Sequence, residues 1–131
     1  MFADIMTGTH NKPGRRVLVV DDNEPSAMTL TWMMELQGYE VRTCFDGRSA
    51  VSLAEDFQPE IVLLDIGMPV MDGYEVCRKL RSNPALCGTQ VVAQTGWGDA
   101  ETRRRTCEAG FDFHLTKPVD MSALMDFLAT H

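Results

Sequence analysis

Cysteine is scarce in this 131-residue chain, and its few copies stand singly, with no C-x-x-C pair and no histidine at the spacing of a zinc site. A disulfide framework or a structural metal is therefore not expected. Reduced thiols, mostly packed inside a cytosolic protein, fit the pattern best. The four residues are Cys44, Cys77, Cys87 and Cys107.

Long apolar runs are absent as well, since none approaches the ~18 residues that a membrane span requires. The first six residues, Met1 to Met6, lack the basic and apolar regions of a secretory signal. We therefore expect a cytoplasmic location and no membrane insertion of this segment.

Positive charge is in deficit, because 12 lysines and arginines face 19 aspartates and glutamates, for a formal charge of −7. Phosphate backbones select basic surfaces, so nucleic acid is not expected as a direct partner. The one basic cluster, Arg103 to Arg105, lies between Glu101 and Glu108 on a predicted helix. We interpret it as a solvated helix face.

The length suits one compact domain, and the 44% of apolar residues can form its core. Residues 1–14 are polar and irregular, with Gly8 and Pro13, and we interpret them as a flexible leader or linker. The domain itself is predicted to span residues 15–131.

Short β-branched or apolar runs alternate with segments of helical period along this domain. The first and third runs are almost continuously apolar, as expected for strands of a parallel sheet that is covered on both faces. The sequence therefore predicts an α/β protein with five parallel strands, doubly wound with right-handed crossovers. The predicted strands are residues 17–20, 41–44, 61–64, 90–94 and 111–115.

Local signals place the helices. Pro25 suits the first turn of helix one, and Gly38 suits its end. We expect Trp32 and the methionines to fill the core. We also expect a stripe on helix one to face inward, formed by Ala27, Leu30, Met33, Met34 and Leu36. The aspartates predicted to cap later helices are Asp72, Asp99 and Asp120.

Polar residues follow the predicted strands at the end where parallel sheets bind ligands. They are far apart in sequence, yet the topology would bring all of them to one rim. These residues are Asp21, Asp22, Asp65, Thr95 and Lys117.

Three crowded carboxylates repel one another unless a cation lies between them. A hard divalent ion with oxygen ligands resolves the conflict, and Mg²⁺ is favoured because it retains waters and shares phosphate oxygens. Lys117 adds a compact positive charge for a phosphoryl oxygen or a carboxylate, and Thr95 adds a hydroxyl donor. An ionised aspartate is already a nucleophile, so such a site can accept a phosphoryl group without a general base. The competing interpretation is a structural cluster of salt bridges.

Four segments together resemble the receiver domain of two-component signalling, over Arg15 to Ala129. They read VLVVDDNE at 17–24, LLDIGMPVMDG at 63–73, QTG at 94–96 and LTKP at 115–118. Their joint occurrence, in order and at the proper spacing, is specific. The resemblance implies a flavodoxin-like (βα)5 topology.

The resemblance also implies roles at the acidic site. Asp65 would be the phosphoacceptor, and Asp22 a direct Mg²⁺ ligand. Asp21 would act mainly through metal-bound water, and the backbone carbonyl of Gly67 would complete the coordination.

At the other strand ends, Thr95 and Lys117 would bind the remaining phosphoryl oxygens, and the Lys117–Pro118 bond would be cis. Thr95 would couple to the residue three positions before the lysine, which is His114 where many receivers carry Tyr or Phe. An imidazole could make this switch sensitive to pH. The alternative is that His114 is a surface residue on an edge strand.

Two further departures from the family fall beside the phosphoryl site. Gly67 has no side chain there, which opens access to water, while Trp97 places a large indole that could close it. We expect the lifetime of the phosphoaspartate to be altered. These two residues do not decide whether it is longer or shorter.

These features predict a phosphorylation-dependent switch. A histidine kinase or histidine phosphotransfer domain would donate from phosphohistidine, and phosphorylation would shift helix four, strand five and helix five to change contacts with a downstream protein. No output domain follows Ala129, so we expect output through protein contact or through parts outside this chain. Residues 110–120 look most similar to receivers of hybrid histidine kinases, although a free-standing regulator is equally compatible.

Two alternatives belong to other classes. A Mg²⁺-dependent aspartyl-phosphate phosphohydrolase would carry a second aspartate two residues after the nucleophile, where this chain has Gly67. A phosphorylation-independent scaffold with the receiver fold would be expected to lose part of the acidic site, which here is complete.

Overall fold

Five parallel strands form a single sheet. The computed structural model describes residues 15–96 and 98–130, so the predicted leader at 1–14 and the predicted role of Trp97 lie outside the described residues. The five-stranded parallel sheet with a helix after each strand confirms the predicted fold class. The strands are β1 Arg16–Val20, β2 Glu40–Cys44, β3 Ile61–Asp65, β4 Gln90–Thr95 and β5 Phe113–Thr116. Their order in the sheet is β2-β1-β3-β4-β5.

Helices cover both faces of this sheet. Alternate residues of β1 point to opposite faces, as a pleated strand requires. Val17 and Val19 pack with the helices that follow β1 and β5, while Leu18 and Val20 pack with the helices that follow β2 and β3. The helices are α1 Glu24–Leu36, α2 Gly47–Phe57, α3 Gly73–Arg81, α4 Ala100–Ala109 and α5 Met121–Thr130, with a short 3₁₀ turn at Pro84–Leu86.

Each helix begins at a polar side chain that accepts a hydrogen bond from the first turn. Asp72 and Asp99 accept from the backbone N–H groups of Glu75 and Thr102, and Asp120 accepts from Ala123. The three predicted caps are therefore confirmed. The caps therefore fix where the helices begin, and with them the far ends of the loops that follow the strands.

Helix α1 differs from the prediction on one side. Leu36 and Trp32 were expected in the core, yet their exposed fractions are 84% and 61%. Leu36 lies nine residues after Ala27, which at about 100° per residue places it on the opposite side of the helix. Thr31 is buried instead, and its hydroxyl is satisfied by the Ala27 carbonyl at 2.8 Å and by Thr43 Oγ1 at 2.8 Å.

The cysteines are all unpaired, as predicted, but only two of the four are packed inside. Cys44 and Cys77 are buried, while Cys87 and Cys107 are exposed. Within the described ranges, no helix is both long enough and apolar enough to cross a bilayer.

Candidate functional site

Three carboxylates converge where β1 and β3 end. Asp21 and Asp22 directly follow β1, and Asp65 is the last residue of β3. These two strands are neighbours in register, with Val20 opposite Leu64, so their ends deliver the side chains to the same place. One ligand oxygen from each carboxylate lies within 4.8 Å of the others. Asp21 and Asp65 are buried, whereas Asp22 is exposed.

Lys117 reaches this cluster from the loop after β5. Its ammonium Nζ lies 3.0 Å from Asp21 Oδ2 and 3.5 Å from Asp65 Oδ2. The Lys117 backbone N–H donates to the Thr95 carbonyl at 2.7 Å, which ties the lysine to the end of β4. The Lys117–Pro118 bond is cis. The structure thus brings together the residues that the sequence placed at one rim.

Backbone donors hold the two buried carboxylates in position. The Gly67 N–H donates to Asp65 Oδ1 at 3.0 Å, and the Asn23 N–H donates to Asp21 Oδ1 at 2.9 Å. Each carboxylate therefore keeps its second oxygen, Oδ2, toward Lys117. Such fixed orientation is what alignment of an attacking oxygen requires.

The electrostatics of the cluster favour a bound cation. Burial is the largest influence on Asp65 and, together with the negative charge of Asp21, raises the pKa of the Asp65 carboxyl to about 6. The Gly67 N–H and the Lys117 ammonium act in the opposite direction but do not outweigh burial. Full ionisation of Asp65 at neutral pH would be helped by further positive charge.

The donor set fits Mg²⁺. The cluster offers three carboxylates within bonding reach of one ion, and no sulfur or imidazole atom is part of it. All-oxygen ligation with one exposed side is the kind of site that Mg²⁺ occupies while it keeps waters or shares phosphate oxygens. Asp22 is the exposed member and is the one open to solvent.

A cleft of about 380 Å³ opens beside Asp65, between the start of α3 and α4. Its walls include Gly67, Thr95, Tyr74 and Arg105. The Arg105 guanidinium lies 4.2 Å from the centre of the Tyr74 ring, an arrangement typical of a cation–π contact. The wall of the cleft that reaches Asp65 therefore carries a positive charge.

Arg105 is a residue that sequence reasoning missed. The assignment of the basic cluster to a solvated face holds for Arg104, which pairs with Glu101 and Glu108. Arg105 is exposed as well, yet its guanidinium also contacts the ring of Tyr74, which lies on another helix. No local pattern signals that contact, because only the packing of α3 against α4 creates it.

Thr95 and His114 end up in different surroundings. Thr95 is 2% exposed at the end of β4, where it pairs with Thr116 of β5. His114 lies on β5, which is an edge strand, as one of the two interpretations held. Its ring is half-buried rather than on the surface, with Nδ1 3.4 Å from Thr106 Oγ1 on α4. His114 is therefore at the junction of β5 and α4.

The sheet order and the acidic rim with its lysine define a flavodoxin-like α/β domain with a cation-binding type of site as the class. The chain belongs to the family described as the response regulator receiver domain, whose model matches residues 17–129. This membership places the chain in phosphorylation-based two-component signalling. Members of the family generally bind Mg²⁺ at the acidic site and interact with histidine kinases and downstream targets.

Relatives of known name and structure agree with this membership. The response regulator PleD of Caulobacter vibrioides is 41% identical over 105 residues, which are 80% of this chain and 23% of that protein. The DNA-binding regulator RpaA of Synechocystis is 30% identical, over 84% of this chain and 46% of that protein. The chain thus spans less than half of the length of either relative.

Two solved structures show the same fold. Vibrio cholerae chemotaxis protein CheY4 superposes with a TM-score of 0.83 at 28% identity, covering 88% of this chain and 96% of that one. The receiver domain of the sensor histidine kinase PA1611 from Pseudomonas aeruginosa superposes with a TM-score of 0.80 at 30% identity, covering 88% and 94%. That second structure has a magnesium ion coordinated in its active site cleft.

Proposed function

We propose that Asp65 accepts a phosphoryl group from the phosphohistidine of a partner histidine kinase or histidine phosphotransfer domain. The P–N bond of the donor breaks, a bond forms between phosphorus and an Asp65 carboxylate oxygen, and the imidazole nitrogen keeps the electron pair. The observation that carries this proposal is the convergence of three carboxylates within 4.8 Å, with Lys117 Nζ 3.5 Å from Asp65 Oδ2.

The surrounding residues share the remaining work. Asp22, Asp65 and the Gly67 carbonyl would hold Mg²⁺ directly, and Asp21 would hold it mainly through water. The ion would neutralise charge on the transferred group. The Gly67 N–H fixes one oxygen of Asp65, so that the other is presented to the donor. Lys117 and Thr95 would each bind one phosphoryl oxygen.

The output would pass through α4, β5 and α5 to a downstream protein. Thr95 would move toward the phosphoryl group, and His114, beside Thr106 of α4, would change its side-chain position with it. Whether His114 makes the response sensitive to pH is a hypothesis tested by comparing the phosphorylation response at pH 6 and pH 8. An unchanged response would remove it.

The context of the domain is part of the proposal. Residues 15–131 form the receiver and residues 1–14 a leader or linker, in a free-standing regulator or in a hybrid histidine kinase. It would work in the cytoplasm by protein contact, without nucleic acid as a direct partner. Gly67 and Trp97 would set the phosphoaspartate lifetime, and phosphate loss from Trp97→Ala compared with the parent tests the indole.

One observation favours an alternative, a phosphorylation-independent scaffold. Lys117 already bridges Asp21 and Asp65, as a structural salt bridge would. Rapid phosphohydrolase turnover has no such support, because Gly67 offers no side chain as the second acid.

Intact mass after incubation with acetyl phosphate separates these functions. The parent and Asp65→Asn are compared with and without Mg²⁺. The receiver function predicts a gain of one phosphoryl group that requires Mg²⁺ and is lost in the variant. No gain in a folded parent, even with phosphohistidine donor protein present, would favour the scaffold.

A further inference from the structure

A second cavity, of about 620 Å³, lies on the other face of the sheet from the Asp65 cleft. It is formed between α1 and the connection from β5 into α5. Successive residues of β4 explain the division, because a pleated strand turns them to opposite faces. Thr95 lines the cleft beside Asp65, whereas Gln94 lines this cavity. The two spaces lie on opposite faces of the sheet, and Asp21 and Lys117 of the acidic site also line the second one.

The inner end of the cavity is polar and carries an unsatisfied donor. Gln94 is 2% exposed, and its Nε2 has no hydrogen-bond partner within residues 15–96 and 98–130. Buried polar groups are nearly always paired, so a lone amide donor beside an open space calls for an acceptor. Lys117 and Asp21 lie at the same end, paired with each other at 3.0 Å.

The rest of the cavity is mostly apolar, with Ser26 and Thr29 of α1 as its further polar members. Leu30 and Met33 of α1 form one wall, and Val119 and Met121 form the facing one. A few placed polar groups inside a mostly apolar pocket of 300–1,000 Å³ are typical of small-molecule sites. The space far exceeds the roughly 30 Å³ share of a single water.

We propose that this cavity binds a small, neutral, largely apolar molecule through a carbonyl oxygen. The oxygen accepts a hydrogen bond from the Gln94 carboxamide, and an alkyl or ring portion lies along Met33 and Met121. A neutral ligand is favoured because the charges of Lys117 and Asp21 cancel each other. Flexible methionines adapt to ligands of different shape.

The proposed ligand would communicate with the acidic site. It would contact Lys117, which also lies 3.5 Å from Asp65 Oδ2. Two ligands that share one side chain are coupled, and each alters the affinity of the other by the same factor. The site itself does not depend on phosphorylation, so its test uses the unphosphorylated chain and stands or falls apart from the function proposed above.

The test is a titration of ¹⁵N-labelled protein, residues 1–131, with N-hexylacetamide, followed by NMR. We expect saturable shifts at the Gln94 side-chain amide and at backbone amides of Leu30 and Val119. Gln94→Met keeps the side-chain length and removes the donor, so binding should weaken about tenfold. Hexylammonium, which has the same chain and no acceptor, should bind at least tenfold more weakly to the parent.

Leu36→Ser controls for nonspecific hydrophobic binding, because Leu36 is 84% exposed on α1 and lies outside this cavity. It should leave the affinity unchanged. Equal binding by Gln94→Met, equal binding of hexylammonium, or shifts that never saturate would overturn the proposal. So would an absence of binding with a water signal at the Gln94 amide, which would assign the donor to a buried water. If Gln94→Met does not fold, the presence or absence of a saturable shift at the Gln94 side-chain amide of the parent tests the proposal.

Discussion

At the scale of single residues, burial of the Asp65 carboxylate lowers the free energy of unfolding at neutral pH. Burial raises its pKa to about 6, above the ordinary value of 3.8, so the native state binds more protons than the unfolded chain between those two values. The free energy of unfolding therefore falls as pH rises through that window, and the full cost is present above it.

Asp65→Asn cannot ionise and should escape this cost. In metal-free buffer at pH 7.5 we expect the variant to be more stable than the parent by on the order of 2 kcal/mol. The gain should shrink below pH 6 and vanish near pH 3.5. Urea unfolding of both proteins across pH 3.5 to 8 measures it.

Asp56→Asn on α2 is the control, because Asp56 is exposed and its carboxylate is not buried as that of Asp65 is. Its stability relative to the parent should show no such pH dependence. A gain for Asp65→Asn that is constant with pH would show that burial of the charge is not its cause.

Arg105 makes a second prediction at this scale. Its guanidinium lies over Tyr74 in the wall of the cleft beside Asp65, through which we expect an anionic phosphodonor to enter. Arg105→Gln should slow phosphorylation by acetyl phosphate about threefold at low salt, and the difference should fade as salt rises. Arg104→Gln is the matched control, since Arg104 pairs with two glutamates of its own helix. Equal slowing in both variants would indicate only a general loss of positive charge.

At the scale of elements, sequence patterns placed the strands better than the faces of the helices. β3 is buried at all five positions, so its apolar run is unmistakable. Helix α1 carries apolar residues on more than one side, so the angular spacing of Leu36 from Ala27, and not its apolar character, indicates that it points outward. The inward place of Thr31 depends on Thr43 of β2, a partner that no local pattern reveals.

The start of α3 gives a prediction about how elements meet. A Cβ on Gly73 would lie 2.5 Å from the Ile66 Cα and 2.6 Å from the Asp65 carbonyl oxygen, both of them backbone atoms. Gly73→Ala should therefore push α3 away from the end of β3 and lower the free energy of unfolding by about 1–3 kcal/mol. Phosphorylation should slow as well, because the displaced strand end carries Asp65.

Gly88→Ala is the matched control for that change. A Cβ on Gly88 meets nothing within 4 Å, so this variant should unfold within about 0.5 kcal/mol of the parent. Thermal or urea unfolding compares the three proteins. A Gly73→Ala variant as stable as Gly88→Ala would mean that α3 has room to shift.

At the scale of the whole molecule, the rim could be predicted because parallel topology sends every strand's carboxyl end to one edge. Asp21, Asp65 and Lys117 are therefore brought together by strand order alone. The two cavities on either side of them could not be predicted. The roles of Arg105 and Gln94 depend on which helices pack around them. No local pattern in the sequence reveals that packing.

The acidic rim should also control global stability through bound metal. A ligand that binds only the native state stabilises it by RT ln(1 + [L]/Kd), or about 2.7 kcal/mol at a hundred times Kd. Because Mg²⁺ would relieve the repulsion between Asp21 and Asp65, we expect the melting temperature at pH 7.5 to rise by several degrees on its addition. Asp22→Asn removes the exposed carboxylate and should abolish most of this rise.

The comparison isolates the metal site because each protein serves as its own reference with EDTA. Asp56→Asn, which also loses one exposed carboxylate, should respond to Mg²⁺ as the parent does. Ca²⁺ at the same concentration reports how far the rise in melting temperature depends on the small radius of Mg²⁺. An equal rise in Asp22→Asn and the parent would place the stabilising ion elsewhere on this acidic chain, and Asp22 would then lose its assigned role as a ligand.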